Sequence, residues 1–218
     1  MLSFIHKLQT DAWRTSGARY NASRRLRRRE LFSTVSLALF SAMSVGLAFI
    51  QRLYAAGGTP LDNYLTAFSA CLGVLLLSIS LMEWGAANGA KAELLHRNAE
   101  DLNSFQRKIE LKLAGGAGVS AQFTVEQADE LRQEYELIKS QCPHNHAPID
   151  EELFRASKRF AREFLDSSGQ PRYTWASTFV VQLRWYTHSV WYFCLFWLLI
   201  LLAAGAAFFF SGTPTPKV

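Results

Sequence analysis

The chain has 218 residues, of which 50% are hydrophobic and 19% charged, with a formal net charge of +5 and a mean hydropathy of +0.03. The apolar content is too high for a disordered chain, and three cysteines are too few for a disulfide scaffold. Six prolines and 13 glycines exclude a collagen-like chain. These averages resemble those of a soluble domain, so the order of the residues has to decide the class.

Three long stretches contain no Asp, Glu, Lys, Arg or His: Leu31–Ile50, Asn63–Met82 and Ser189–Phe210. Each is long enough for a helix to cross a bilayer, which takes about 20 apolar residues. Soluble helices seldom lack a polar face over five turns, which disfavours three buried helices in a soluble bundle. The first stretch begins after residue 30 and lacks a clear A-x-A site, so we predict a retained span and not a signal peptide.

The basic residues predict the orientation of these spans. Residues 1–30 contain eight basic and two acidic residues, and residues 83–188 contain 13 basic and 15 acidic residues. Because positive charge collects on the inner side of a membrane, both regions are expected in the cytoplasm and the C-terminus outside. The basic cluster beside the first span is expected to contact anionic headgroups, and we expect no nucleic-acid partner.

The predicted fold is an all-α membrane protein with an N-terminal two-span helical hairpin, a cytoplasmic helical bundle and a C-terminal third span. Aromatic residues between 171 and 188, including Trp185, predict an interfacial belt before that third span. The predicted segments are a basic cytoplasmic N-terminal helix at 1–30, the transmembrane hairpin at 31–84, the cytoplasmic helical region at 85–188, the third transmembrane helix at 189–210 and a tail at 211–218.

Three helices are predicted between the second and third spans. No proline follows Met82 before the glycine-rich segment at 114–118, so the second span is expected to continue as one long helix. Thr124 would cap a helix ending near Gln141, and another helix would run from Asp150 to Asp166. On the long helix, four apolar residues with near-heptad spacing predict a coiled-coil-like oligomer seam: Leu95, Leu102, Phe105 and Ile109.

The sequence contains no P-loop, no G-x-G-x-x-G and no G-x-S-x-G motif, and we predict a protein that is not an enzyme and has no cofactor. Cys142, His144 and His146 are ligand types that zinc accepts, but their spacing in one short loop is unlike that of a usual zinc site. The interpretation we favour is a structured turn in which Asn145 and His146 cap the helix near Asp150, with no metal.

Positions spaced alternately by four and three residues share one face of each of the first two spans, and several of them carry hydroxyl groups. Such a stripe lines a water-filled pore if several copies assemble, or simply lets helix backbones approach, and spacing alone favours the second interpretation. The span centres hold no ionisable residue, which argues against a proton pump. The candidate pore-lining residues are Ser41, Ser44, Thr66, Ser69 and Ser80.

Three segments resemble the SLATT family of bacterial conflict-system membrane proteins: Trp13–Leu26, Ala92–Leu102 and Glu134–Asp150. The resemblance covers about residues 5–165, and the third span departs from the simplest two-span pattern of that family. The residues of this chain that carry the family motifs are Trp13, Arg19, His96, Tyr135, Asn145, His146 and Asp150.

The resemblance implies a role in antiphage defence. Family members are predicted effectors, often encoded beside nucleotide-signal synthases, nucleotide sensors or reverse transcriptases, and are thought to assemble and permeabilise the inner membrane. For this chain it implies a homo-oligomeric, pore-forming effector of abortive infection in the bacterial inner membrane. A nucleotide-signalling or sensor protein is the candidate partner.

Two other functions remain open from the sequence. The charge-mixed region at 83–188 suits a non-enzymatic scaffold or regulator that tethers a cytoplasmic partner to the membrane. A transporter subunit is disfavoured, because the spans lack charge and the chain lacks an inverted repeat. A nucleotide trigger would need cationic and aromatic groups, which Arg155, Arg159 and Arg162 beside Phe154 and Phe160 could supply.

Overall fold

The structure is a computed structural model that describes the backbone of residues 1–115 and 123–211, with side chains for residues 1–114 and 123–206. Of the described residues, 84% are helical. Within the described ranges there is no β-strand, only an isolated bridge between Leu165 and Pro171. The predicted all-α architecture is confirmed. The tail beyond Ser211 and most of the glycine-rich segment near 114–118 lie outside the described residues.

Seven α-helices and one 3₁₀ helix follow one another in the described ranges. The N-cap of α4 is Thr124, whose hydroxyl accepts a hydrogen bond from the backbone N–H of Gln127, and this confirms the predicted cap. The helices are α1 (Leu2–Tyr54), α2 (Pro60–Ala86), α3 (Asn88–Gly115), α4 (Val125–Ser140), α5 (Pro148–Ser157), the 3₁₀ helix Arg162–Phe164, α6 (Trp175–His188) and α7 (Trp191–Ser211).

Two predicted helices have different bounds. The long helix after Asn63 is interrupted at Ala87, whose left-handed backbone (φ 47°) ends α2, because its N–H bonds back to the carbonyl of Trp84. The helix expected from Asp150 to Asp166 begins at Pro148 and ends at Ser157. The chain then turns into the 3₁₀ helix, where the Phe164 ring stacks on Trp13 at a centroid distance of 5.6 Å. This tertiary contact has no counterpart in the local sequence pattern.

Two helices are long and apolar enough to cross a membrane, α1 and the helical stretch that starts at Pro60, with mean hydropathies of 1.8 and 2.2 over their most apolar windows. A third candidate exists if α6 and α7 are counted as one bent span. The prediction of a membrane protein is therefore confirmed.

The chain divides into two compact units. The bundle unit comprises residues 1–27 and 89–188, and the hairpin unit comprises residues 28–88 together with the chain from Ser189. Helix α1 contributes to both, since its first half is polar and rich in arginine whereas its second half is apolar.

The hairpin unit has an apolar core formed by α1, α2 and α7. Phe40, Leu72 and Ile200 are buried at its centre, one from each helix. Two polar contacts also hold α7: the indole N–H of Trp197 donates to Ser36 Oγ at 3.1 Å, and the Tyr64 hydroxyl donates to the carbonyl of Ala203 at 2.6 Å. Helix α7 is therefore an integral part of this unit.

The bundle unit has its main core between α1, α3 and α4, where Ile5 and Leu8 meet Leu131 and the α3 residues discussed next. All four residues of the predicted oligomer seam are at most 2% exposed within the chain. Three of them contact α1 and α4, and the fourth packs on Ala22 and Cys142. Packing within the chain accounts for the heptad spacing, since Leu95, Leu102, Phe105 and Ile109 are all buried in intrachain clusters.

Small residues let α1 lie deep in this bundle, and Gly17 is the most constrained of them. A Cβ at Gly17 would fall well inside van der Waals contact of the Phe154 ring. That ring is only 8% exposed and packs edge-on against Trp13 at 4.9 Å, so it has little room to move. Glycine at this position is required for the approach of α5 to α1.

We expect Gly17→Ala to destabilise the bundle unit by about 1–3 kcal/mol, because the added methyl group overpacks against the Phe154 ring. The measurement is thermal unfolding of the purified protein in detergent. Gly46→Ala in the same helix is the matched control, since a Cβ there meets no atom within 4 Å. Equal melting temperatures for the two variants would contradict this packing.

Candidate functional site

The Asp150 carboxylate, 0% exposed, is the centre of a polar network in the bundle unit. Arg25 donates to it through two parallel hydrogen bonds, both 2.9 Å long. The indole N–H of Trp185 donates to Oδ1 at 2.9 Å, and the backbone N–H of Ala147 donates to Oδ2 at 2.9 Å. Four donors therefore satisfy a charge that would otherwise be costly to bury.

Other polar side chains of α1 make separate hydrogen bonds to α3 and α4. The buried Arg19 donates to Asn98, whose amide in turn donates to the carbonyl of Ile138 at 2.5 Å. Ser16 donates to the carbonyl of Ala99 at 2.8 Å. The Tyr135 hydroxyl lies 3.2 Å from the hydroxyl of Thr15. The polar residues of α1 thus pair with buried groups on the neighbouring helices.

A small cavity of about 190 Å³ adjoins this network and is lined by Asp11, Arg14, Thr15, Tyr135, His146 and Glu151. Burial raises the pKa of Glu151, but hydrogen bonds from Arg14 and Arg155 outweigh burial and hold the pKa below its usual value. Burial also lowers the pKa of His146, whose Nδ1 is buried without a hydrogen-bond partner among the described residues.

The family-motif residues converge on this region. Trp13, Arg19, Tyr135, His146 and Asp150 all take part in the contacts above. His96 packs edge-on against Tyr20 at 5.3 Å and lies 3.4 Å from Glu100. Asn145 is exposed and accepts a hydrogen bond from the backbone N–H of His146. These residues hold helices together, and their positions alone indicate no reaction.

The loop before α5 differs from the predicted turn. Its N-cap is Ala147, and the N–H of that residue is satisfied by Asp150 and not by Asn145 or His146. The Cys142 thiol donates to the carbonyl of His144 at 3.3 Å. Among the described residues, no three His, Cys, Asp or Glu side chains are grouped closely enough to bind a metal ion.

The candidate pore-lining residues lie in the hairpin unit at two levels of burial. Ser41, Thr66 and Ser80 are exposed on its surface, whereas Ser44 and Ser69 are partly buried. Ser69 Oγ is buried and has no hydrogen-bond partner in the part of the chain that the structure describes, while Ser41 donates to the carbonyl of Leu37 at 2.8 Å. The stripe therefore runs along the border between packed and exposed surface.

The hairpin unit also has a polar cluster that the sequence analysis missed. The Glu83 side chain, 9% exposed, accepts hydrogen bonds from Arg29, Asn88 and the Tyr192 hydroxyl. The Arg29 guanidinium also lies over the Tyr192 ring, 5.2 Å from its centroid. Opposite charges at the ends of adjacent spans could have indicated the pair of Arg29 and Glu83, but no spacing rule links either to Tyr192.

The fold and these polar clusters define an all-α membrane protein with a two-helix apolar hairpin and a tightly bonded helical bundle. Residues 1–209 match the family described as SMODS and SLOG-associating 2TM effector domain family 5, or SLATT_5, and the chain belongs to this family. The match extends past residue 165 and includes most of α7, so the third apolar helix lies within the family pattern. Searches of curated proteins and of solved structures found no match.

Membership makes the chain a membrane effector of a conflict system, in a family that is not a known enzyme family. The resemblance inferred from the three sequence segments is confirmed. The family motifs now have a physical meaning, since Arg19, Tyr135 and Asp150 each make side-chain hydrogen bonds to another helix of the bundle unit.

We expect Asp150→Asn to destabilise the protein by about 3–5 kcal/mol, because Arg25 would keep its charge in a largely buried position without a carboxylate. Asp129→Asn is the control, since the pair of Asp129 with Arg132 is about half exposed and solvent screening leaves it little effect on stability. Melting temperatures in detergent measure both. Similar losses in the two variants would show that burial of Asp150 is unimportant.

We expect the protein to become less stable as the pH drops, because of the titration of His146. Because its folded pKa lies below the unfolded value of 6.5, the unfolded chain binds more protons as the pH drops below that value. Burial causes this shift and Arg19 adds to it, whereas Glu151 and Asp150 oppose it. His146→Gln should flatten the dependence of melting temperature on pH between about pH 8 and pH 5.5. His6→Gln, at an exposed position, should retain the wild-type slope.

Proposed function

We propose that this chain is the membrane effector of an antiphage defence system, which oligomerises and forms a pore or disrupts the bacterial inner membrane when triggered. The trigger is a nucleotide signal or a partner protein. The observation that carries the proposal is the combination of a family defined by its 2TM effector domain with exposed hydroxyl groups on the apolar hairpin.

The exposed flank of the hairpin unit supports a pore. Ser41 on α1, with Thr66 and Ser80 on α2, leaves hydroxyl groups on helices whose other exposed residues are largely apolar. In an assembly of several copies, this flank would face water in the lumen and the remaining surface would face lipid. Isolated hydroxyl groups can also satisfy themselves on their own helix, as Ser41 does, so one copy tolerates lipid on the same flank.

Burial of the predicted seam changes where oligomerisation would occur. Leu95, Leu102, Phe105 and Ile109 are occupied within the chain, so copies would meet through the hairpin unit or through exposed parts of the bundle unit. The orientation that suits this proposal places the N-terminus and the bundle unit in the cytoplasm, since basic residues concentrate there.

The alternative function is a scaffold that tethers a cytoplasmic partner to the membrane without permeabilising it. The mixed charge of the bundle unit favours it. A pore requires the hydroxyl flank, formed by Ser41, Thr66 and Ser80, whereas a scaffold does not. A substitution on that flank therefore distinguishes the two functions.

We expect Ser80→Leu to reduce depolarisation of cells several-fold when the triggered protein is expressed, because an apolar residue would dewet the lumen. Ser78→Leu is the matched control, because it lies two residues earlier and hence on the opposite side of α2. A voltage-sensitive dye measures depolarisation, and membrane-fraction immunoblots check expression. Growth arrest with an intact membrane potential would favour the scaffold, and equal losses in both variants would argue against a hydroxyl-lined pore.

A further inference from the structure

A cavity of about 450 Å³ in the bundle unit is used by neither the Asp150 network nor the hydroxyl flank. Its size falls in the range of about 300–1,000 Å³ that is typical of small-ligand sites. It is lined by Arg14, Arg155, Glu163, Phe164, Arg172 and Tyr173.

The lining of this cavity holds three arginines and one carboxylate, Glu163. Arg14 and Arg155 both donate to the same oxygen of Glu151 at 2.5 Å, so two guanidinium groups share one carboxylate. Arg172 interacts electrostatically with Asp166 in the adjoining turn, and within the described chain it makes no salt bridge. Planar guanidinium groups that converge in this way match the geometry of phosphate oxygens.

The floor of the cavity is aromatic. Phe164 is 7% exposed and stacks on Trp13, which also contacts Phe154 edge-on. Tyr173 is half-buried in the wall and leaves part of its ring accessible. A flat ring stacked on Tyr173 would therefore lie beside the arginine groups.

The turn that follows Asp166 forms the outer wall of the cavity. Asp166 Oδ1 accepts hydrogen bonds from the backbone N–H groups of Ser168 and Gln170 at 2.8 and 2.9 Å. Gly169 takes a left-handed backbone (φ 78°) that closes the turn. The N–H of Arg172 bonds to the carbonyl of Phe164 at 3.4 Å, which positions Arg172 and Tyr173 at the cavity. These bonds hold a surface loop in one conformation opposite α5.

We propose that this cavity binds a phosphate-bearing ligand with a planar ring, in which Arg14, Arg155 and Arg172 contact the phosphates and Tyr173 stacks on the ring. The sequence suggested Arg155, Arg159 and Arg162 as the cationic groups of a nucleotide site. Of these three, Arg155 alone lines the cavity. The inference rests on the proposed function in that it names the chemical class of the trigger. Its test measures binding alone, so a failure to bind would leave membrane permeabilisation standing.

The test uses the full chain in nanodiscs of neutral lipid, with inorganic pyrophosphate, ADP and adenosine as probes in isothermal titration calorimetry. We expect pyrophosphate to bind, ADP to bind more tightly and to be displaced by pyrophosphate, and adenosine not to bind. Arg172→Gln should weaken both anions about tenfold, corresponding to about 1.4 kcal/mol. Tyr173→Ala should remove the advantage of ADP over pyrophosphate and leave pyrophosphate binding unchanged.

The matched control is Arg132→Gln, which removes an arginine of α4 that pairs with Asp129 and does not line the cavity. It should leave both affinities unchanged. Absence of pyrophosphate binding, or equal weakening by Arg132→Gln and Arg172→Gln, would overturn the proposal. A lipid headgroup is the other source of phosphate. The proposal of a soluble ligand would be overturned if neither anion displaced the other and binding were lost only in nanodiscs that contain phosphatidylglycerol. That result would assign the arginines to lipid headgroups.

Discussion

The burial of the Asp150 carboxylate is the constraint on which the bundle unit depends. A charge with no access to water must be matched by donors, and these come from parts of the chain far apart in sequence: Arg25 on α1 and Trp185 on α6. Because Asp150 also caps α5 through Ala147, one side chain sets the start of a helix and its docking on two others. Arg25 and Trp185 therefore have to lie at fixed positions relative to α5 when the helices pack.

The composition of α1 follows from this constraint. Arginines can reach a buried carboxylate from a helix backbone only if that backbone lies close to its neighbours, and Ala12, Ala18 and Ala22 allow the approach with 0% exposure. Ser16 and Arg19 then have to be paired, and they are bonded to Ala99 and Asn98. Pairing of buried polar groups thus accounts for the mixture of polar and small residues in the first half of α1.

The hairpin unit uses the same principle once, at Glu83. The nearly buried Glu83 carboxylate at the end of α2 binds Arg29 of α1 and Tyr192 of α7. These directional bonds fix the relative positions of the three helices more strictly than apolar packing does. At the other end of the hairpin, the Gln51 side chain donates to both Asp62 and Thr66. Between the two ends, the helices meet through apolar side chains and through hydrogen bonds such as that from Trp197 to Ser36.

The sequence by itself determined the class of the protein, the apolar stretches, the cap at Thr124 and the family, because these depend on local composition, spacing and short motifs. It also located Asp150 and Tyr135, but not what they touch. Only the tertiary structure decided that Leu102 and Ile109 face the same chain, that Trp185 is 3% exposed and bonds Asp150 in place of joining an interfacial belt, and that α5 ends at Ser157. The physical reason is that a heptad pattern or an aromatic residue specifies a face to be buried, whereas the partner of that face lies on another helix and depends on how the helices pack.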